Sequence, residues 1–303
     1  MRIVSFLPSA TEVLYKLGLG NQIVGVTHEC KYPPAAKRKP RVIRPSFDPT
    51  RMSGRQIDST IVEIVRSGKD IYLVDEKMLK NAEPDLIVAQ GLCEVCSPFT
   101  KEIARAVNIL GGKPDVIVLD PRDLDDILVS IMDIADKVDR VEQGRKLVCS
   151  LQSRIDAVRA MDVKHRPKVL CIEWVDPFFT AGHWVPQIVE YAGGINGISR
   201  TGEPSRRLDI KEIEDFDPEI IVMMPCGFGI KRTLQEMKVL KNNQRWNSLK
   251  AVKNNFYVVD SGSYFSKPSP RTITGLEIMA KIIHPKEAKR IKVPANSFKR
   301  ITG

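Results

Sequence analysis

The feature that most constrains this chain is an alternation of strand and helix patterns that is repeated in two halves. Short apolar runs suited to buried strands alternate with amphipathic runs suited to helices, a pattern typical of parallel sheets covered by helices. The closest internal match pairs Glu83–Val88 with Asp217–Val222. In both copies a proline bars helix continuation, so we expect a strand to begin there. The sequence therefore predicts two related, Rossmann-like α/β lobes with parallel sheets.

The remaining elements repeat in the same order in both halves. Ser9 and Glu12 have the spacing of a capping box, which predicts a helix start after the first strand. Gly18 and Gly193 end the two equivalent helices. The predicted strands are Arg2–Leu7, Gln22–Thr27, Asp85–Gln90 and Val116–Leu119 in the first half, and Lys168–Glu173, Ile220–Val222 and Phe256–Asp260 in the second.

A helical pattern separates the two halves. Leu147, Leu151, Ile155 and Val158 keep helical spacing within Leu124–Met161, the longest helix-compatible stretch. We expect one long backbone helix that joins the lobes as a stiff strut and permits only a small rotation between them. The predicted divisions are an N-terminal α/β lobe at 1–122, a linking helical segment at 123–162, a C-terminal α/β lobe at 163–285 and a basic tail at 286–303.

Composition narrows the class of protein. Hydrophobic residues make up 43% of the 303 residues, and no apolar run is long enough to cross a bilayer, so we expect a folded monomer without a membrane span. The formal net charge is +10, but the basic residues are scattered and lack interleaved stacking aromatics, which argues against nucleic-acid binding. The first residues read as a strand rather than a signal peptide, and the six cysteines do not resemble a disulfide framework. Both features predict a reducing, cytoplasmic location.

Ligands bind beyond the carboxyl ends of strands in open parallel sheets. The segments that follow the predicted strands are rich in aromatic, imidazole and thiol groups and poor in paired carboxylates. That chemistry suits a large flat or metal-containing ligand held in a cleft between the lobes. The candidate ligand-binding residues are Pro8, Ser9, His28, Glu29, Trp174, His183, Trp184, Phe228, Tyr264, Phe265 and Arg271.

Plainer roles stay open for several of these residues. Trp184 could pack on its own lobe while His183 caps the following helix, or the two could offer a ring face and an imidazole to a macrocycle. Arg271 could meet an anionic group at a helix start or remain solvated. No Walker loop, Gly-x-Ser-x-Gly elbow or His-Glu-x-x-His motif occurs, so no catalytic residue is assigned.

Four cysteines follow predicted strands and form a tentative metal set. A single Cys-x-x-Cys is a weak signal, and thiols that only line the cleft are the alternative. If they act together, zinc, iron or an iron–sulfur cluster is the expected metal. The four are Cys30, Cys93, Cys96 and Cys226.

With these motifs in view, the chain resembles the helical-backbone, class III solute-binding proteins that serve ABC importers of cobalamin, haem and ferric siderophores. Arg2–Glu12, Leu17–Gly20, Ile23–Thr27 and Glu83–Val88 carry the likeness. It is most similar to the branch labelled cobalamin-binding, through His28–Cys30, Leu92–Cys96, Gly182–Pro186, Pro225–Phe228 and Tyr264–Ser266. The resemblance implies a binding protein that is not an enzyme, a corrinoid or other metal chelate as ligand, and an ABC permease as partner. The alternative from the residues themselves is a cytoplasmic metal, iron–sulfur or redox protein.

Overall fold

The computed structural model describes residues 1–91 and 100–301. It divides into two compact units, each with its own sheet. Unit 1 comprises Met1–Pro121 and Asp125–Cys149, and unit 2 comprises Arg122–Leu124 and Ser150–Gly303. The predicted α/β class with two parallel-containing sheets is confirmed. The predicted ranges 1–122, 123–162 and 163–285 stay a prediction.

Unit 1 contains a six-stranded sheet in the order β4-β3-β2-β1-β5-β6. All neighbours pair in parallel except β3 and β4, which are antiparallel. Apolar side chains from both faces of the central strands are fully buried, as a parallel sheet covered by helices requires. The strands are β1 (Ile3–Ser5), β2 (Ile23–Thr27), β3 (Arg41–Pro45), β4 (Tyr72–Val74), β5 (Leu86–Gln90) and β6 (Asp115–Leu119).

The helices up to residue 159 are α1 (Pro8–Lys16), α2 (Gly54–Arg66), α3 (Glu76–Ala82), α4 (Thr100–Ile109), α5 (Leu124–Lys137) and α6 (Val141–Arg159). The capping box predicted at Ser9 and Glu12 is wrong. Helix α1 begins at Pro8, with Leu7 as an N-cap that provides no side-chain hydrogen bond, and Ser9 lies in the first turn. Proline suits the first position of a helix because its missing N–H would have no intrahelical partner there.

The stretch predicted as one long helix is two helices in the structure. The chain leaves α5 after Lys137 and takes a left-handed conformation at Asp139, with φ of 54°, before α6 begins. A Cβ built on Gly144 would lie 2.5 Å from the Cβ of Ala135, so the glycine lets α6 pack closely against α5. Helical spacing alone could not reveal this break, because Asp139 carries no strong breaker signal.

Unit 2 contains a five-stranded sheet in the order β11-β10-β9-β7-β8. The outer strands β8 and β11 are antiparallel to their neighbours, and the inner pairs are parallel. The predicted basic tail at 286–303 is therefore not a tail throughout, since it supplies an edge strand. The strands are β7 (Val169–Val175), β8 (Phe178–Thr180), β9 (Ile220–Met223), β10 (Phe256–Val259) and β11 (Phe298–Ile301).

Short helices cover this second sheet. Its core is centred on the fully buried Trp246, which packs against Phe178 and Phe256 at ring-centroid distances of 5.2 and 5.6 Å. The helices are α7 (Val185–Tyr191), α8 (Ile210–Phe216), α9 (Ile230–Glu236), α10 (Gln244–Ser248), α11 (Lys250–Asn254), α12 (Ser261–Tyr264) and α13 (Thr272–Ile283).

The internal repeat predicted from the sequence is confirmed at the level of the backbone. Helix α3 ends at Glu83 in the left-handed conformation, with φ of 37°, and a proline leads into β5. Helix α8 ends at Asp217 with φ of 45°, and a proline leads into β9. β5 then lies between β1 and β6, as β9 lies between β7 and β10. The same module thus builds the centre of both sheets.

Candidate functional site

In unit 1 the candidate residues follow the carboxyl ends of β1 and β2. Pro8 is partly exposed at the start of α1, while Ser9 is buried. The His28 ring lies 5.9 Å from the Tyr72 ring, and its Nε2 lies 3.9 Å from Oε1 of Glu29. The His28 side chain is 28% exposed. Within residues 1–91 and 100–301, its buried Nδ1 atom has no hydrogen-bond partner.

The environment of His28 favours a neutral imidazole. Burial lowers its pKa, and the nearby Glu29 carboxylate opposes that shift only in part. A neutral imidazole has one ring nitrogen that can accept a hydrogen bond or bind a metal. The half-exposed ring is therefore suited to contacting a polar or metal-containing ligand at this edge of the sheet.

Cys30 occupies a different environment from the other candidates. It is fully buried, and its Sγ lies 3.1 Å from Oγ1 of Thr11 and 3.4 Å from Oγ1 of Thr27. Thr11 also donates a hydrogen bond to Oγ of Ser5 at 2.9 Å. These contacts join α1 to the ends of β1 and β2, which is a structural role for the thiol.

The metal set is only partly covered by the structure. Cys93 and Cys96 lie outside the described residues, and Cys226 is partly exposed in unit 2. Among residues 1–91 and 100–301, no group of three or more His, Cys, Asp or Glu side chains is placed to hold a metal ion. A site for zinc, iron or an iron–sulfur cluster stays a prediction.

In unit 2, Trp174 near the carboxyl end of β7 and Phe228 after β9 form an aromatic pair. Their ring centroids are 5.2 Å apart with an interplanar angle of 44°, and both side chains are partly exposed. The guanidinium of Arg232 lies 5.2 Å from the Phe228 ring centroid. Two tilted aromatic rings at strand ends offer apolar area to a flat ligand, with a cation beside them.

Glu173 lies next to this pair and was not among the predicted residues. Its Oε2 accepts a hydrogen bond from Oγ of Ser205 at 2.8 Å, and the Gly182 N–H also donates to the carboxylate. Burial raises the pKa of Glu173, and the two hydrogen bonds oppose the shift. The signal in the sequence was an acidic residue at the end of an apolar strand, where an ionised group is costly.

Cys226 joins this group through the backbone, because its N–H donates to the Glu173 carbonyl at 3.0 Å. The structure therefore brings together two predicted residues that face outwards, Trp174 and Phe228, with one predicted cysteine and one missed acid. Cys171, on the same strand as Glu173, is buried, and burial together with the Glu173 carboxylate raises the pKa of its thiol.

His183 and Trp184 have different roles in the structure. His183 is held in the left-handed conformation with φ of 53°, and its N–H donates to the Glu203 carbonyl at 2.7 Å. Trp184 is only 4% exposed, and its Nε1 donates to the carbonyl of Phe265, itself 2% exposed, at 2.8 Å. Trp184 and Phe265 thus pack inside unit 2 and support the loop, which favours the plainer interpretation of Trp184 over a ligand-facing ring.

The loop that carries His183 is closely packed. A Cβ on Gly182 would lie 2.5 Å from the Glu203 carbonyl oxygen and 2.5 Å from the Ser205 nitrogen, so only glycine fits there. The last two candidates, Tyr264 and Arg271, are partly exposed at the end of α12 and at the N-cap of α13.

Comparison with known proteins places these features in context. The family model described as periplasmic binding protein matches residues 3–262. A vitamin B12-binding protein of Vibrio cholerae is 23% identical over 283 residues, which cover 91% of this chain and 86% of that protein. A vitamin B12-binding protein of Pectobacterium atrosepticum is 26% identical over 240 residues, covering 77% of this chain and 74% of that protein.

Solved structures show the same fold. A periplasmic heme-binding protein from Pseudomonas aeruginosa has a TM-score of 0.72 at 17% identity and covers 100% of this chain and 98% of its own. The periplasmic vitamin B12-binding protein of Vibrio cholerae has a TM-score of 0.66 at 22% identity, covering 95% of this chain and 98% of its own. At these identities the likeness establishes the fold alone.

The matches correct one prediction and confirm another. The expected cytoplasmic location is wrong, because the matched family and the solved relatives are described as periplasmic, which points to a location outside the cytoplasm. The lack of a disulfide framework gave a misleading signal, since a buried thiol such as Cys30 is shielded from oxidation in any compartment. The prediction that the chain is not an enzyme is confirmed by a family of binding proteins. None of the helices in residues 1–91 and 100–301 combines the length and the apolar character that a membrane span requires.

Proposed function

We propose the ligand of this chain on the basis of its family. The chain belongs to the periplasmic binding protein family, whose model covers most of its length. As a solute-binding protein it binds a corrinoid or a similar metal chelate and presents it to an ABC-type importer. The curated relatives described as vitamin B12-binding proteins, aligned over most of both chains, support the corrinoid. Solved relatives described as heme-binding support the wider class of metal macrocycles.

The observation that carries this proposal is the Trp174–Phe228 pair. Two partly exposed aromatic rings lie at the carboxyl ends of neighbouring parallel strands, Trp174 near the end of β7 and Phe228 after β9, which is the side of α/β sheets where ligands bind. A flat macrocycle presents a large apolar face, and burial of that face against aromatic rings stabilises the complex. Glu173, which precedes Trp174 in β7, adds a carboxyl group whose pKa is raised by burial and whose oxygens can accept hydrogen bonds from amide groups on a ligand.

Unit 1 contributes polar groups in this proposal. The neutral imidazole of His28, next to Glu29, can bind the metal or a polar substituent of the chelate. No bond of the ligand is made or broken, so affinity depends on apolar area and on a few hydrogen bonds. The proposed contact residues are Pro8, His28, Glu29, Trp174, His183, Phe228, Tyr264 and Arg271, all partly exposed, whereas the predicted Ser9 is buried.

Titration calorimetry with cyanocobalamin, hemin and a ferric siderophore tests this function. We expect cyanocobalamin to bind at one molecule per chain and Trp174→Ala to weaken binding by about 10- to 100-fold, as for a buried aromatic anchor. Tyr257→Ala is the matched control, because Tyr257 is a partly exposed aromatic of the same sheet that packs on Phe298 instead. No heat and no thermal shift with any of the three compounds would rule the proposal out.

A further inference from the structure

A dense positive charge is concentrated in one short segment of unit 2, which we call the basic segment, residues 286–301. It contains six Lys and Arg residues and a single acid, Glu287, and so contributes +5 of the formal net charge of +10. The basic residues are Lys286, Lys289, Arg290, Lys292, Lys299 and Arg300.

These side chains are exposed and carry uncompensated charge. All six are exposed, and within residues 1–91 and 100–301 none of them forms an ion pair with an acid. By contrast, two other arginines of unit 2 have acidic partners: Arg154 pairs with Glu277 at 2.6 Å and Arg245 pairs with Glu214 at 2.5 Å. The six basic side chains are thus available to an anionic partner, since no ion pair within the described residues occupies them.

The segment is held on the folded unit rather than extending from it. Ala288 is buried, and the carbonyl of Ser297 accepts a hydrogen bond from the Asp260 N–H at 2.9 Å. β11 pairs with β10, which places the guanidinium of Arg300 6.0 Å from the Tyr257 ring centroid. The charges therefore occupy a fixed part of the surface, so they can act together on one partner.

We propose that the basic segment docks unit 2 onto the anionic phospholipid surface of a membrane. A location outside the cytoplasm makes the membrane that houses an importer the available anionic surface, and disfavours nucleic acid. The exposed large apolar side chains of the described residues lie outside the segment, so no apolar wedge accompanies the charge. Docking is therefore electrostatic, reversible and sensitive to salt. It concentrates the protein at the membrane independently of whether ligand is bound.

Co-sedimentation with lipid vesicles tests this inference on the full chain. We expect binding to vesicles that contain phosphatidylglycerol, none to vesicles of phosphatidylcholine alone, and release by added salt. The variant carries Lys286→Gln, Lys289→Gln, Arg290→Gln and Lys292→Gln, all at exposed positions. Since each basic side chain near an anionic surface changes partitioning by about fivefold, we expect a loss of about 100-fold or more.

A matched control removes the same charge elsewhere. Lys69→Gln, Lys113→Gln, Lys211→Gln and Lys238→Gln change four exposed lysines outside the segment. This control should keep most of the vesicle binding, and an equal loss would overturn the proposal in favour of net charge. Tighter binding to a DNA duplex than to the anionic vesicles would overturn the proposal that the partner is a membrane. Cyanocobalamin titration of both variants keeps the result separate from the ligand proposal, because neither set changes a proposed ligand contact.

Discussion

The two units share a central backbone module but differ at the edges of their sheets. In unit 1, β1 has the parallel strand β2 as a neighbour, and two further strands extend the sheet beyond it. In unit 2, β7 has the antiparallel strand β8 instead, and the segment after Gly194 makes only an isolated parallel bridge between Ile195 and Lys168. Unit 2 is extended on its other side by β11.

This difference determines which side chains follow the strands. The loop after β2 in unit 1 presents an imidazole beside a carboxylate, at His28 and Glu29. The ends of β7 and β9 in unit 2 present an aromatic pair beside a half-buried carboxyl group. The strand–helix module is thus a scaffold common to both units, while the segments at the carboxyl ends carry the chemistry. We therefore expect a core mutation to destabilise mainly the unit that contains it, and mutations at the strand ends of the two units to weaken ligand binding unequally.

The largest expected effect is on the core of unit 2. Trp246→Ala removes a ring that is 2% exposed and packs on two other aromatics, so we expect it to cost about 3–5 kcal/mol of unfolding free energy. Hydrogen exchange should become faster for amides of β9 and β10 and change little in β1 and β5. Phe6→Ala, at a fully buried site in unit 1, should give the reverse pattern. Equal acceleration in both sheets would show that the units unfold as one.

The next largest effect concerns how much each unit contributes to the affinity for ligand. Trp174→Ala removes apolar area, and we expect it to weaken cyanocobalamin binding by more than 10-fold, or about 1.4 kcal/mol. His28→Ala removes one polar group, and we expect a loss of only a few-fold. Calorimetry on both variants gives the ratio of the two losses in cyanocobalamin affinity. A greater loss from His28→Ala would mean that unit 1 provides the main anchor and that metal binding dominates.

The sequence predicted the scaffold much better than the candidate site. Periodicity and the repeated acid-proline motif at Glu83 and Asp217 were enough for the class and for the strand equivalences, because they report local backbone preference. Burial could not be predicted in the same way. The buried Trp184 and the partly exposed Trp174 are both tryptophans in loops or at strand ends, and only packing distinguishes them. Glu173 was missed because its raised pKa results from burial in the folded unit, which the sequence alone does not reveal.

Opposite pH responses should distinguish the two units further. The pKa of Glu173 is raised above its ordinary value of 4.5, so its contribution to stability is complete below 4.5 and is lost as pH rises through the folded-state value. The pKa of His28 is lowered below 6.5, so its contribution is present above 6.5 and is lost as pH falls through the folded-state value.

Urea unfolding of Glu173→Gln and His28→Gln across a pH series tests this contrast. Relative to the parent chain, Glu173→Gln should gain stability as pH rises from 4.5 towards neutrality, because the amide has no charged form to bury. His28→Gln should gain stability as pH falls below 6.5. The same pH trend in both variants would contradict the assignment of one buried acid and one buried base.

The smallest expected effect concerns the module that the units share. Glu83 and Asp217 both end a helix in the left-handed conformation, which glycine adopts without the cost that a Cβ imposes. We expect Glu83→Gly to raise the free energy of unfolding by about 0.5–1 kcal/mol, the strain relief being partly offset by the greater freedom of glycine in the unfolded chain. Asp217→Gly should raise the free energy of unfolding by less, because aspartate tolerates this conformation better than glutamate. The substitution also removes the ion pair of Asp217 with Lys250 at 3.1 Å. Urea midpoints of the two variants measure the difference. An equal or larger rise in unfolding free energy for Asp217→Gly would contradict this prediction. It would mean that the two C-caps are equally strained, whether the residue is glutamate or aspartate.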